Sequence, residues 1–475
     1  MTEETTDVAA TDLTTLRFEN HRTEDADTLN ILLSATAALD LGGITQGQSR
    51  PLRSLADPQI TFQSLTSGRL YVGLGDLAEN PAPRNDTYYG WIEFSRTPGS
   101  SIVWLNLSNV DLTGLPLAIS GVKSNGAPFS LGLAKSTDEI INDLFAVQTG
   151  KDPSAARITT SSGQTKCLSP TLAPDSYRNL EPYLDSLCKS QAPLKITSDT
   201  LNGKTLVFTG SFTPAQSPDD IGISLTDQDG KQLTITRANL NNAILYRCAG
   251  GSLTYDGQSR AQNDPNTSDP DSVLINSVFR NLMIGINEGY FTADGPNDSN
   301  RFRGLDPFPD GQGNQYAQVI HKATNSYGFP YADSNLKVLI TADATKPITV
   351  TILKDNEAFG YQKPDKTHTA NEPSSGTYQF GIGAGSSALG SVMIGNYCYP
   401  GGPNGAPGGY LPDLPDWTPM EFTGPGPGHY IWIKNGQIEA GNCLSAPCSF
   451  NNNVFAWPAN LTWNAGAKPP EKPRG

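Results

Sequence analysis

The chain has 475 residues and a formal net charge of −14, with 33 Lys and Arg against 47 Asp and Glu. This acidic balance argues against a nucleic acid or an anionic membrane as partner, because a surface that binds phosphate groups needs a basic stripe. Charged residues make up 17% of the chain, which is too few for a disordered protein, and no apolar run is long enough to form a membrane-spanning helix.

The composition predicts a protein made mainly of β-strands. The 47 Gly and 36 Pro suit many short strands joined by turns. Residues 1–12 are acidic and Thr-rich, lack the basic and apolar parts of a signal peptide, and are expected to form a flexible tail, as are residues 466–475. Apart from a hairpin described next, strand-like runs cover residues 60–65, 69–75, 204–210, 222–226, 233–236, 337–342, 348–353 and 430–434.

The segment from Tyr88 to Pro116 is the most informative part of the sequence. Thr97-Pro98-Gly99-Ser100 predicts a turn between two alternating strands, with Glu93 directly opposite Trp104. Apolar side chains share one face of this hairpin, namely Ile92, Phe94, Val103, Leu105 and Leu107. The other face carries two Trp, a Tyr, a carboxylate and small polar groups, from Tyr89, Trp91, Glu93, Ser95, Ile102, Trp104, Asn106 and Ser108.

Four helices are predicted after the hairpin. Ser136-Thr-Asp-Glu139 forms a capping-box pattern before an apolar run, and residues 177–187 keep helical spacing. Asp269-Pro270 predicts the start of a third helix that ends near Gly285, and residues 314–325 would form a fourth. The fold class is therefore mainly β with α/β insertions.

One catalytic unit is expected over residues 13–465. Its β-rich core would comprise residues 13–130, 200–262 and 337–465, and its α/β insertions residues 131–199 and 263–336. The Gly/Pro-rich region 354–429 predicts long loops.

The polar face of the hairpin has the composition of a sugar-binding cleft. The pattern alone also fits an ordinary sheet, because aromatic cross-strand pairs stabilise any sheet by roughly 0.2–1 kcal/mol each and an exposed Glu often only increases solubility. Both interpretations stay open on this evidence.

A resemblance to a known family adds to the pattern. Trp91-Ile-Glu93-Phe94, followed by the run from Trp104 through Asn109-Val110-Asp111 to Gly114-Leu115-Pro116, resembles the active-site stretch of glycoside hydrolase family 64. Residues 69–75 and 316–333 contain further matching stretches in the same order, so the likeness extends over roughly residues 60–340.

The resemblance implies a fold, an activity and a set of site residues. The fold would be a thaumatin-like β-sandwich or barrel with a smaller α/β part and a groove between them. The activity would be endo-hydrolysis of β-1,3-glucan such as laminarin by an inverting mechanism, with Glu93 as the acid and Asp111 as the base. Substrate-binding residues would be Trp91, Ser95, Trp104, Asn106, Tyr327 and Asp333. The resemblance also implies a secreted protein. A monomer without metal or cofactor is expected. Ala332 stands where the family often has an acidic residue before Asp333, so the sequence departs from the family there.

The two carboxylates place a demand on the structure. On a straight strand Asp111 would lie roughly 23 Å beyond the residue opposite Glu93, at about 3.3 Å per residue. A bend near Ser108-Asn109 is therefore required if both residues act together.

Two alternatives remain open from the sequence. The chain could be a non-catalytic thaumatin-like protein that binds carbohydrate or serves a structural role. The six cysteines allow pairs such as Cys443–Cys448, Cys167–Cys188 and Cys248–Cys398, or reduced buried thiols.

Overall fold

The computed structural model describes residues 13–362, except 56, 202, 262–269, 296, 300–311 and 331–338, together with strands between 375 and 464. The chain divides into two compact units, Met1–Gln362 and Lys363–Gly475. The predicted tails and Asp333 lie outside the described residues. No helix among the described residues is both long enough and apolar enough to span a membrane.

The first unit contains 22 strands and five α-helices among its described residues. The strands are β1 (Thr14–Asn20), β2 (Leu29–Ser34), β3 (Ala37–Leu39), β4 (Arg50–Pro51), β5 (Gln59–Phe62), β6 (Ser64–Leu74), β7 (Tyr88–Arg96), β8 (Ile102–Ser108), β9 (Leu112–Thr113), β10 (Leu117–Val122), β11 (Pro128–Leu131), β12 (Arg157–Thr159), β13 (Thr165–Leu168), β14 (Pro193–Thr197), β15 (Val207–Phe212), β16 (Ile221–Asp227), β17 (Gln232–Thr236), β18 (Ser252–Tyr255), β19 (Gln258–Ala261), β20 (Ser326–Tyr327), β21 (Ile340–Asp343) and β22 (Ile348–Ile352). The helices are α1 (Thr137–Ala146), α2 (Glu181–Ser190), α3 (Asn242–Arg247), α4 (Pro270–Asn287) and α5 (Gln315–Ala323). The mainly β fold class with helical insertions is confirmed.

Two sheets form a β-sandwich around one apolar core. The first sheet has the order β11-β10-β22-β1-β5, with β22 parallel to β1 and antiparallel to β10. The second has the order β20-β8-β7-β6-β2-β4, with β21 on β8 and β3 on β6. Their facing side chains are buried together, among them Leu16, Ile60, Val350, Val72, Ile92 and Val103. The apolar face predicted for the hairpin is part of this core.

The rest of the first unit is an α/β part with its own core. A three-stranded sheet, β12-β13-β9, and a six-stranded antiparallel sheet, β14 to β19 in sequence order, lie here with the helices. Their apolar residues share a core with Tyr71, Tyr89 and Trp91 from the outer face of the second sandwich sheet. The sequence analysis placed residues 200–262 in the β-rich core, whereas their strands pack with the helices because Phe208 and Leu225 face that core.

The helix predictions agree closely with the structure. Ser136 caps α1 in a capping box with Glu139, and Asn314 caps α5. The third predicted helix is α4. The second begins at Glu181, later than predicted, because residues 174–176 form a 3-10 turn and the chain is still extended at Tyr177.

The described residues of the second unit form an antiparallel sheet of eight strands. These are β23 (Ser375–Gly381), β24 (Ser391–Ile394), β25 (Tyr397–Tyr399), β26 (Met420–Gly424), β27 (Gly426–Lys434), β28 (Gln437–Cys443), β29 (Ala446–Cys448) and β30 (Ala459–Asn464). They pair in the order β25-β24-β23-β30-β26-β27-β28-β29. The sequence analysis treated this segment as part of one catalytic unit, whereas the structure gives it a sheet of its own.

The possible Cys167–Cys188 disulfide is wrong. Both residues are buried free thiols. The Sγ of Cys167 lies 3.3 Å from the Tyr177 hydroxyl, while Cys188 lies on α2 with its Sγ 3.5 Å from the Gly222 carbonyl. The two thiols therefore have separate partners.

Candidate active site

The hairpin of β7 and β8 has a register two residues away from the predicted one. Asn106 is opposite Glu93, and Trp104 is opposite Ser95. The predicted pairing of Glu93 with Trp104 is wrong because the loop is longer than a four-residue turn. The Ser100 side chain accepts a hydrogen bond from the Ile102 amide at 3.0 Å, which keeps Ser100 in the loop.

A row of three polar side chains crosses the sheet at this point. Arg69 on β6 is directly opposite Glu93 on β7, and Asn106 follows on β8. Residues opposite each other in antiparallel strands project from the same face, so the three stand side by side. Asn106 is 2% exposed, and its Oδ1 has no hydrogen-bond partner in the part of the chain that the structure describes.

The two tryptophans of this face have different surroundings. Trp104 is 48% exposed, which confirms that it points away from the core. Trp91 is 3% exposed, because the α/β part covers that end of the sheet, and its ring packs against Tyr71 and Tyr89. Its Nε1 donates to Oε1 of Glu93 at 3.3 Å. Trp91 thus lies beneath the site and supports Glu93.

The chain bends sharply after β8, as the two-carboxylate prediction requires. The Asn109 amide donates to the Tyr327 carbonyl at 3.1 Å, which ends the strand. The Asp111 carbonyl then accepts a hydrogen bond from the Ser169 amide at 2.9 Å, and β9 joins a different sheet. The bend predicted near Ser108-Asn109 is confirmed.

Arg69 contacts both predicted catalytic carboxyls. Its Nη2 lies 3.0 Å from Oε1 of Glu93, and its Nη1 lies 3.6 Å from Oδ2 of Asp111. Because both nitrogens belong to one rigid guanidinium, the contacted carboxyl oxygens are less than about 9 Å apart. The prediction that the carboxyls lie within about 10 Å is confirmed. An inverting pair needs about 6.5–9.5 Å, to leave room for a water.

Tyr327 reaches the site from the short parallel strand β20. Its hydroxyl donates to Oε2 of Glu93, and its side chain is 6% exposed. The predicted sugar contact through Tyr327 stays a prediction. In this structure its polar atom fixes the orientation of the Glu93 carboxyl.

The carboxyl of Asp111 is in an environment that changes its proton affinity. Burial raises the pKa of Asp111, the Arg69 charge lowers it, and the Glu93 charge raises it, so the net pKa is raised. Burial alone would lower the pKa of Arg69, but the effects of Glu93, Tyr71 and Asp111 raise that pKa and outweigh burial. The net pKa of Arg69 is raised, so its side chain is cationic.

Arg69 stands between two open cavities of about 260 Å³ each. The first is lined by Ser67, Arg69, Glu93, Ser95, Trp104 and Asn106. The second is lined by Arg69, Tyr71, Asn80, Pro81, Trp91 and Asp111. Glu93 lines the first and Asp111 the second of these cavities, which share Arg69 and are together called the groove. Four of the predicted site residues line the first cavity.

The sequence analysis missed Arg69 and Tyr71 as site residues. Both lie in the stretch 69–75 that carried part of the resemblance. Alternation along that strand places them on one face, and pairing with β7 brings Arg69 beside Glu93. The strand register, which the sequence did not give, was the missing information.

Comparison with known proteins gives one family match. Residues 57–352 match the family model described as β-1,3-glucanase, glycoside hydrolase family 64. No curated protein matches the chain.

Similar solved structures include three β-1,3-glucanases. A laminaripentaose-producing enzyme in complex with laminaritetraose is 17% identical, with a TM-score of 0.49, and the match covers 73% of this chain and 99% of that one. A family 64 domain from Clostridium beijerinckii is 13% identical, with a TM-score of 0.46 and coverage of 72% and 98%. A laminaripentaose-producing enzyme from Paenibacillus barengoltzii is 13% identical, with a TM-score of 0.43 and coverage of 72% and 75%.

Proposed function

Because this chain belongs to the β-1,3-glucanases of glycoside hydrolase family 64, we propose that it cleaves β-1,3-glucan chains internally by an inverting mechanism with Glu93 as acid and Asp111 as base. Membership makes the chain a glycoside hydrolase. The observation that carries the finer proposal is the pair of carboxyls less than about 9 Å apart across one groove, both in contact with Arg69.

The proposed reaction consumes one water. Glu93 donates its proton to the glycosidic oxygen as the bond to the anomeric carbon breaks. Asp111 removes a proton from a water that attacks the anomeric carbon on the opposite face of the sugar, and the anomeric configuration inverts. Proton exchange with solvent then returns Glu93 to its acid form and Asp111 to its carboxylate.

The raised pKa of Asp111 suits the role of base. A carboxylate with a higher pKa accepts a proton from water more readily in the transition state. Burial raises that pKa while Arg69 opposes the shift. Asp111 is thus more basic than a fully exposed aspartate.

The groove suits a neutral polysaccharide. Trp104 presents an exposed aromatic face, and Asn106 and Ser95 line the first cavity. Aromatic rings stack on sugar C–H surfaces, and amide and hydroxyl groups bond sugar hydroxyls. Trp104, Asn106 and Ser95 are therefore proposed sugar contacts. Because a polysaccharide does not cross membranes, action outside the cell is part of the proposal. A monomeric state is a separate part of it.

The test is hydrolysis of laminarin and laminarihexaose by the full chain. Product sizing should give internal cleavage, and proton NMR in the first minutes should show the α-anomer as the new reducing end. Glu93→Gln and Asp111→Asn should each lose activity while retaining the fold. A β-anomer as first product would refute inversion, and binding without turnover would favour the non-catalytic alternative.

A further inference from the structure

The Arg69 side chain occupies the space that separates the two catalytic carboxyls. It extends from β6, the central partner of both β7 and β2, and its backbone is therefore held on two sides. Its guanidinium also lies 5.9 Å from the centre of the Trp91 ring. The side chain is 39% exposed, so it borders the groove as well as supporting it.

We propose that Arg69 is a positioning residue that sets the separation of Glu93 and Asp111 and places a cation beside Asp111, the proposed base. The inference rests on the proposed two-carboxylate function. It assigns to Arg69 a role in the reaction that neither carboxyl can fill, because one cationic side chain contacts both of them.

The shape of the guanidinium explains why arginine stands here. Its nitrogens form a planar fork, and each of two nitrogens contacts a different carboxyl. A lysine would present one point charge, which can approach one carboxyl closely but not hold two at a fixed spacing. The arginine is therefore suited to fixing the distance across which substrate and water must fit.

The groups around Asp111 define what the loss of Arg69 would do. Arg69 and Glu93 act on it as charges, and the neutral phenols of Tyr71, Tyr89 and Tyr316 also face it. Among the described residues acting on Asp111, Arg69 is the one that opposes the effect of burial. Without it, Asp111 would hold its proton to higher pH.

The experiment compares Arg69→Met, Arg69→Lys and the matched control Arg53→Met in the full chain. Arg53 is 61% exposed and pairs with Asp27 away from the groove, so its variant should behave as wild type. In Arg69→Met the acid limb of the pH profile of kcat should move up by roughly one pH unit, and kcat should fall roughly 10- to 100-fold. Arg69→Lys should keep the acid limb near that of wild type but not restore kcat.

A second measurement is independent of turnover. Carboxyl ¹³C NMR of ligand-free protein labelled at Asp, with Asp111→Asn to assign the signal, should show Asp111 titrating at higher pH in Arg69→Met. If wild type fails to cleave glucan, the proposed function fails, while this titration still tests Arg69. An unchanged titration with a lower melting temperature would overturn the inference in favour of a purely structural role. Higher activity in Arg69→Met would overturn it too, because Arg69 would then be blocking the groove.

Discussion

Replacing Trp104 with alanine tests whether the exposed face of the hairpin binds glucan. The side chain is 48% exposed, and a fully exposed large aromatic presents roughly 200 Å². About 100 Å² is therefore available to a sugar ring, which at about 25 cal/mol per Å² corresponds to at most roughly 2.5 kcal/mol. The dissociation constant for a laminarin oligosaccharide should rise by roughly 5- to 60-fold.

The effect on stability should be small by comparison. Trp104 lies opposite Ser95 and Thr341 in the sheet, and such cross-strand pairs contribute roughly 0.2–1 kcal/mol each. In a unit of this size that amounts to a melting-temperature change of about 1–4 °C.

Calorimetric titration of laminarihexaose measures the affinity, in a Glu93→Gln background so that the ligand is not cleaved. Phe359→Ala is a matched control, since Phe359 is 41% exposed and contacts His21 away from the groove. Unchanged affinity together with a large drop in melting temperature would refute the reasoning, because Trp104 would then act only as a packing residue.

The remaining predictions concern Glu93, the Tyr327 hydroxyl that contacts it, and the buried His321. Glu93→Gln should abolish hydrolysis while keeping glucan affinity within a few-fold, and ordinary turnover by the folded variant would remove Glu93 from the mechanism. Tyr327→Phe removes the hydroxyl that holds Glu93 and should lower kcat roughly tenfold or more without opening a cavity, whereas an unchanged kcat would show that this contact is dispensable. The Nε2 of His321 accepts a hydrogen bond from the Gly328 amide at 3.1 Å, and burial lowers the pKa of His321 to about 3. As pH falls through the ordinary value near 6.5, the unfolded chain takes up a proton that the folded chain does not, so the free energy of unfolding should decrease from pH 6.5 towards 3. The free energy of unfolding, measured with urea at several pH values, should depend on pH more steeply in wild type than in His321→Asn, by the uptake of about one proton. Identical slopes of the free energy against pH would contradict this prediction.

Local signals predicted most of the secondary structure. The capping box at Ser136 and the Pro at the start of α4 act within a few residues, so their helices could be located from the sequence. Alternation along β7 and β8 likewise identified the core face and the exposed Trp104. These features depend on neighbours along the chain.

Long-range packing decided the rest of the site. Trp91 shares a strand face with Glu93 but is buried, because residues far along the chain cover that end of the sheet. Asp111 reaches Arg69 only because Tyr327 and Ser169 hold the bend after β8. The hairpin register depended on a loop longer than the predicted turn, since β7 ends at Arg96 and β8 begins at Ile102. Periodicity carries no information about such contacts.

The central position of β22 has a consequence for biosynthesis. Residues 348–352 lie between β1 and β10, although they leave the ribosome more than 300 residues after β1. Until then β1 has an unpaired edge, and the first sandwich sheet cannot close. Such distant pairing makes folding slow and exposes the nascent chain to aggregation. Termination before residue 348 should therefore yield insoluble product, even though the described residues that line the groove would already have been translated.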